Sequence, residues 1–461
     1  MHNDVTMKTI KAFTLAATKS GAGKTTMTIG ILAALIRRGI AVQPFKCGPD
    51  YIDPTLHKAI TNRTSYNLDL KMMGIQACQR TFYEHAVSAD LSLVEGVMGL
   101  FDGGSASTAS LAKRLKIPVI LVIDAQSCAQ SAVAVLEGFQ NYDPDVHIAG
   151  VIFNRIGSER HKDLIEEEVL KKSSVPVIGF MPRDINFTIP ERHLGLHMGD
   201  ENPLSGATLG ALADSIEKNL RIDLMLSCES KSNGPCLEKI NIPTRHPVPA
   251  KIEIGVASDE AFCFYYKENF EIFERAGFKL RTFSPLYDHE IPRQCKFIYL
   301  GGGYPELFAR ELSQNRAMLE SLREKHDQGA TIYSECGGFM YLCDKLVDMN
   351  DSVYPMAGLF PFKALMNKRL RKLGYRSVRL LQRSFLGEEG TRLYGHEFHY
   401  SHMVESDREN QAGTIARLYE LDNNSCEGYY SGSAIGSYIH LHFGRNPGIA
   451  DFMYDYFTSN S

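Results

Sequence analysis

The chain has no C-x-x-C pair among its ten cysteines, no apolar run of 18 residues free of charge, and no excess of basic residues. Each absence removes a class of function. Cysteines scattered through apolar settings such as Leu342-Cys343 fit buried, reduced thiols rather than a disulfide framework or a zinc site. Without a long apolar run no membrane-spanning helix is expected, and the N-terminus lacks the charged-then-apolar layout of a secretory leader. A formal charge of -4, from 50 basic and 54 acidic residues, offers no global field for nucleic acid. An anionic partner has to be held by local groups. The expectation is a cytoplasmic protein with neither nucleic acid nor membrane as partner. No internal repeat or low-complexity tract is evident, and 461 residues suffice for two or three domains. Met1 to Met7 is polar and is expected to be loose, with Met7 an alternative start.

The strongest local signal is Ala17-Thr18-Lys19-Ser20-Gly21-Ala22-Gly23-Lys24-Thr25-Thr26, which follows the apolar run Ala12 to Ala17 and precedes a helical pattern from Met27 to Ile36. Strand, glycine loop and helix make a phosphate cradle. Gly21 and Gly23 let backbone N–H groups turn inward, and Lys24 neutralises terminal phosphate charge. The Thr25 hydroxyl can hold Mg²⁺, and Thr26 continues into the helix, whose positive end faces the anion. Thr18 stands where the usual pattern has glycine, so the match rests on G-K-T in its context. Further strands are expected at 40–46, 91–95, 118–124, 148–154 and 176–180, separated by helical stretches. That alternation predicts a parallel sheet covered on both faces. Glu95 ends its strand before a glycine-rich loop, where phosphate-loop enzymes keep a carboxylate for Mg²⁺ or its waters. Asp50, Asp53 and Asp102 lie on loops expected at the same sheet edge. Taken singly each is also what a turn needs; taken together they favour metal and substrate handling.

Residues 227–250 collect Ser, Asn, Pro and Lys and read as a linker between an ATP- and substrate-binding domain, 8–226, and a second α/β domain, 251–461. In the second domain strands are expected at 252–257, 297–300 and 331–334, with helices near 261–276 and 306–326. Tyr333-Ser334-Glu335-Cys336-Gly337-Gly338 puts a cysteine at a strand–turn–helix elbow, exposed and beside a helix N-terminus that favours a thiolate. His440 and His442, one residue apart, are the candidate bases. Gly301-Gly302-Gly303 offers backbone N–H groups for an oxyanion. Together these pieces read as amide hydrolysis through a thioester.

These two centres resemble the cobyrinic acid a,c-diamide synthase family of ATP- and glutamine-dependent amidotransferases. The resemblance is carried by T-K-S-G-A-G-K-T-T, P-F-K-C-G-P-D-Y-I-D-P, E-G-V-M-G-L-F-D-G, Y-S-E-C-G-G, G-H-E-F-H-Y-S and S-Y-I-H-L-H-F, from residue 14 to 443. It implies a phosphate-loop NTPase domain followed by a domain of class I glutamine amidotransferase type. The implied partners are ATP, Mg²⁺, L-glutamine and a corrinoid or related tetrapyrrole carboxylate. In the implied reaction Cys336 attacks glutamine while His440 moves the proton, and ammonia captures an acyl phosphate formed on the a and c acetate side chains. The match assigns Gly21, Gly23, Lys24, Thr25 and Thr26 to the nucleotide, and Thr25 and Glu95 to the metal. It assigns Asp50, Tyr51, Asp53 and Asp102 to substrate, and Gly302, Gly303 and Gly337 to the oxyanion. Class I glutaminases commonly keep an acid two residues after the histidine. Here that place holds His442, which leaves a third member open. The stretch from His396 to Ser401 is expected as a polar strand or as lining of an interdomain pocket. Ammonia transfer implies that the pockets of two domains, or of two subunits in a homodimer, come together.

Hydrogenobyrinic acid and nickel sirohydrochlorin share the same acetate side chains and remain alternative substrates. A partition-type ATPase scaffold is the alternative of another class, because Lys19 occupies the place of that group's signature lysine. The acidic, aromatic segment from Pro447 to Phe457 is a poor match to the basic membrane helix such scaffolds tend to carry.

Overall fold

The computed structural model describes residues 10–183, 191–192, 195–196, 205–227, 252–406, 415–446 and 448–459. Met1 to Met7, and all of the expected linker except Ser227, lie outside them. The chain divides into two compact units between Asn241 and Ile242.

In the first unit successive residues of the strand Ala12–Ala17 go to opposite sides: Ala12 and Ala16 join one buried cluster, Phe13, Leu15 and Ala17 another. A strand with two apolar faces must lie in the middle of a covered sheet. The sheet has seven strands, all parallel, in the order Tyr66–Leu68, Val42–Cys47, Leu91–Glu95, Ala12–Ala17, Val119–Asp124, Ile148–Ile156, Val177–Pro182. The expected strands are all present, the one at 40–46 shifted to Val42–Cys47; the short edge strand Tyr66–Leu68 was not anticipated. This order sets three strand ends side by side, those of Val42–Cys47, Leu91–Glu95 and Ala12–Ala17. Their following loops therefore meet at one edge, the place where open α/β sheets put ligands.

The second unit is built on a ten-stranded mixed sheet. Its parallel part runs Phe278–Phe283, Ile252–Ala257, Phe297–Leu300, Thr331–Glu335, Ala434–Ser437. It continues antiparallel through Cys426–Ser431, Ala416–Leu421, Lys372–Leu380, Arg392–His399 and His440–Leu441. Only Tyr438 and Ile439 separate Ala434–Ser437 from His440–Leu441, yet these strands are fifth and tenth in the sheet. Three residue steps span at most ~11 Å, so the antiparallel part curls round and brings the sheet's far edge back to its middle. That curl returns His440 toward the strand that ends beside Cys336.

Two helices differ from expectation. Helix near 261–276 is confined to Lys267–Arg275, because the Asp259 carboxylate accepts hydrogen bonds from the amides of Ala261 (2.9 Å) and Phe262 (3.1 Å) and fixes a turn there. The long helix expected over 306–326 is broken into a 3-10 turn Pro305–Phe308 and helices Ala309–Gln314 and Arg316–Asp327. Asn315 makes the break: it caps the last helix by accepting from the Met318 amide (3.3 Å) while its Nδ2 donates to Pro285 O and Asp288 O.

Candidate active sites

In the first unit the phosphate loop is braced from the next strand but one. Gly23 has φ 94°, and a Cβ there would lie 2.3 Å from Asn154 Nδ2, so no other residue fits without displacement. Asn154 donates to Ala22 O (2.8 Å) and Arg155 to Gly21 O (2.9 Å). Lys24, Thr25 and Thr26 open the helix Lys24–Arg37. Behind them lies a buried knot of charge centred on Glu95. One carboxylate oxygen accepts from Thr25 Oγ1 (2.8 Å) and Lys46 Nζ (3.1 Å) and lies 3.7 Å from Lys24 Nζ; the other lies 2.8 Å from His57 Nε2. Lys46 also donates to Asp53 and to Gly96 O (3.3 Å), and sits 3.7 Å from Asp50.

Electrostatics decides the protonation in this knot. Burial alone would raise the Glu95 carboxyl, but Lys46, the His57 hydrogen bond and Lys24 outweigh it and hold it well below the usual range. Burial would lower Lys46, yet Asp53, Glu95 and Asp50 keep it well above its ordinary value. Burial, then Asp50 and Glu95, push Asp53 up. Three carboxylates thus face two ammonium groups. Among the described residues no three His, Cys, Asp or Glu side chains form a metal cage. The hard oxygen atoms of Thr25 and Glu95, 2.8 Å apart beside the loop, are of the kind that would suit a Mg²⁺.

Not every expected residue joins the knot. Asp50 and Asp53 do, Asp50 also accepting from the amides of Ile52 and Asp53. Tyr51 lies between them, partly buried. Asp102 is exposed and turns back on its own loop, accepting from the Gly99 amide (3.0 Å), although that loop touches the cradle through Leu100 N to Ala17 O (2.8 Å). Lys19 is exposed and 3.3 Å from Asp124. Lys46 and His57 were not anticipated. The signal for Lys46 was a lysine in a short, mostly apolar strand; buried there, it must have a charged partner. His57 had none beyond its place four residues past Asp53.

In the second unit Cys336 occupies the elbow with φ 47° and ψ -102°, a strained backbone for a non-glycine residue. Its amide is held by Ser437 O (2.7 Å), and its sulfur lies 4.0 Å from Phe398 O. The expectation of a thiolate is corrected. Burial, then Glu306, push the Cys336 thiol well up, and the Gly337 amide offsets this only in part. The helix after it, Gly337–Leu342, is a single short stretch that cannot overcome burial at 7 % exposure. Iodoacetamide at neutral pH should therefore modify exposed Cys426 long before Cys336; equal labelling rates by peptide mapping would contradict a neutral, covered thiol.

The Gly301–Gly303 loop lies between elbow and histidine. A Cβ on Gly302 would be 2.3 Å from His440 Cε1, and a Cβ on Gly337 would be 3.1 Å from the Gly303 amide nitrogen. The two histidines part company. His440 faces this loop and Glu335, with Nδ1 3.7 Å from Glu335 Oε2. His442 turns to the helix Lys267–Arg275, with Nε2 3.9 Å from Glu268 and its ring 4.9 Å from that of Tyr266. The stretch from His396 to Ser401 ends one strand at His399 and opens the next at Ser401. His396 pairs with His440 across the sheet, and His399 stacks on Tyr438 at 3.7 Å and bonds to Glu397 (2.9 Å). Against the cost of burial, His399, Lys372 and Arg376 hold the Glu397 carboxyl at about 2.

Both units match known protein families. Residues 13–196 match the CobQ/CobB/MinD/ParA nucleotide binding domain, and residues 253–448 the CobB/CobQ-like glutamine amidotransferase domain. Cobyrinate a,c-diamide synthase of Listeria innocua is 41% identical over 441 residues, 94% of this chain and 97% of its own. The enzyme of that name from Salmonella typhimurium is 39% identical, covering 95% and 96%. Among solved structures a glutamine amidotransferase aligns over 45% of this chain and 97% of its own with a TM-score of 0.32 and 16% identity, too slight to bear on function. With relatives of this identity along nearly its whole length, the chain belongs to the cobyrinate a,c-diamide synthase family of glutamine-hydrolysing carbon–nitrogen ligases.

Proposed function

We propose that this chain amidates the a and c acetate side chains of cobyrinic acid, spending one ATP and one glutamine on each. A carboxylate is a poor electrophile at neutral pH, so its oxygen must first take the terminal phosphoryl group of ATP, releasing ADP. The mixed anhydride so formed is attacked by ammonia, and phosphate leaves. In this reading Lys24 and Lys46 neutralise the charge on the transferring group. Thr25 and Glu95 would hold Mg²⁺, which when bound screens the phosphates. Asp50, Tyr51, Asp53 and Asp102 position the corrinoid and the intermediate.

In the second unit the neutral Cys336 thiol passes its proton to His440 as sulfur attacks the glutamine amide carbon. The C–N bond breaks, the imidazolium returns the proton to the departing ammonia, and water then hydrolyses the thioester. Amides of Gly302, Gly303 and Gly337 are the donors for the oxyanion. The observation that supports this best is the buried Glu95 knot, where threonine, two lysines and two aspartates meet at the mouth of a phosphate loop.

The test is product mass. Incubation with ATP, Mg²⁺, glutamine and each of cobyrinic acid, hydrogenobyrinic acid and nickel sirohydrochlorin should add two amides to the first alone. Two amides on another tetrapyrrole, or none on any, would overturn the assignment. Cys336→Ser should remove glutamine-dependent product while ammonium salts still support it.

A further inference from the structure

We propose that Glu335, the residue directly before the nucleophile, is the positioning acid of His440 and completes the glutaminase site. The inference rests on the Cys336 and His440 reading above. In this chain the place two residues after the histidine holds His442, which is engaged with Glu268 on the helix Lys267–Arg275 and with Tyr266 just before it. Glu335 reaches the imidazole from the other direction, along the elbow strand Thr331–Glu335.

Its carboxyl group is held firmly in place. Glu335 is 1 % exposed. Oε1 accepts from Tyr333 OH (2.6 Å) and from the Leu441 amide (2.9 Å), and Oε2 accepts from Tyr299 OH (2.8 Å). Three donors from three strands immobilise the carboxylate, and one of them is the backbone of the residue next to His440. Oε2 stands 3.7 Å from His440 Nδ1, the nitrogen turned away from a proton handled at Nε2. None of the three donors carries charge: burial keeps both tyrosines well above their ordinary values. An imidazolium formed when Cys336 gives up its proton places its charge beside this buried carboxyl group, where an unpaired charge would be costly. The carboxylate thereby selects the tautomer with a proton on Nδ1 and favours the charged ring during attack, when the 3.7 Å gap can tighten. The same residue that ends the elbow strand thus holds the ring that the elbow's nucleophile needs.

Charge and volume can be separated in the full-length chain with Glu335→Gln and Glu335→Asp. Glu335→Gln keeps the shape and loses the charge. Its kcat for glutamine hydrolysis should fall ~100-fold or more, the scale of a lost acid–base partner, with KM for glutamine within about two-fold and ammonia-dependent amidation retained. Glu335→Asp keeps the charge and should be the more active of the two. A packing role would reverse that order, because the isosteric amide would be tolerated and the shorter acid would not. Wild-type kcat in Glu335→Gln beside a dead Cys336→Ser overturns the proposal while the glutaminase reading stands. An active Cys336→Ser overturns both. Should Glu335→Gln not fold, Tyr299→Phe removes only the hydroxyl fixing Oε2; it should lower kcat several-fold at constant KM, and unchanged kcat would count against the proposal.

Discussion

Glu95→Gln should lower ATP-dependent amidation by ~100- to 1,000-fold, the usual cost of removing one preorganised electrostatic contact from a transition state. The loss should be the same whether glutamine or ammonium salt supplies nitrogen, and glutamine hydrolysis in the second unit should persist. Glu95 is fully buried and contacts Thr25, Lys24, Lys46 and His57 together. Glutamine keeps the volume but brings no charge, so Thr25 and the metal it would share lose their anionic partner. Lys46 keeps Asp53 and Asp50. That retained pairing puts the stability cost near the low end for breaking a buried ion pair, about 3 kcal/mol. A loss of that size is within the stability of an ordinary domain, about 5 to 15 kcal/mol. The variant is therefore expected to fold, and a thermal melt recorded beside the assay separates the two effects. Full amidation activity in a folded Glu95→Gln would remove Glu95 from the phosphoryl-transfer machinery.

What could be read from sequence alone was what is local in the chain. The cradle from Thr18 to Thr26 and the elbow from Tyr333 to Gly338 each spell strand, turn and helix within about ten residues, and both stand where expected. The side chains that tune them were not legible, because their partners are remote. Lys46 meets Glu95 across 49 residues and Glu335 meets Leu441 across 106. No periodicity encodes such a meeting; it follows from which strands are neighbours. The thiolate expectation failed for a related reason. A helix N-terminus is visible in sequence, whereas the burial that overrides it is a property of the assembled sheet. Asn315 shows the limit of apolar spacing, since a side chain that bonds back to Pro285 and Asp288 stops a helix the pattern would have continued.

Gly302→Ala should strike the catalytic histidine of the second unit directly. A Cβ there would lie 2.3 Å from His440 Cε1 and 3.1 Å from Nε2, while carbon atoms pack no closer than ~3.5 Å. The ring must move by about 1 Å. The backbone cannot carry it away, because His440 is paired to His396, and its carbonyl lies 2.2 Å from where a Cβ on Gly395 would be. The imidazole is left to rotate away from the loop and from Cys336. Misplacement on this scale costs ~100-fold in rate, and overpacking costs ~1–3 kcal/mol in stability. Glutamine-dependent amidation should therefore fall by about two orders of magnitude with only a modest drop in melting temperature, and ammonium salt should restore it. Retention of glutaminase activity would mean that the His440 ring is free to yield, and that its contact with the Gly301–Gly303 loop does not set the geometry of proton transfer.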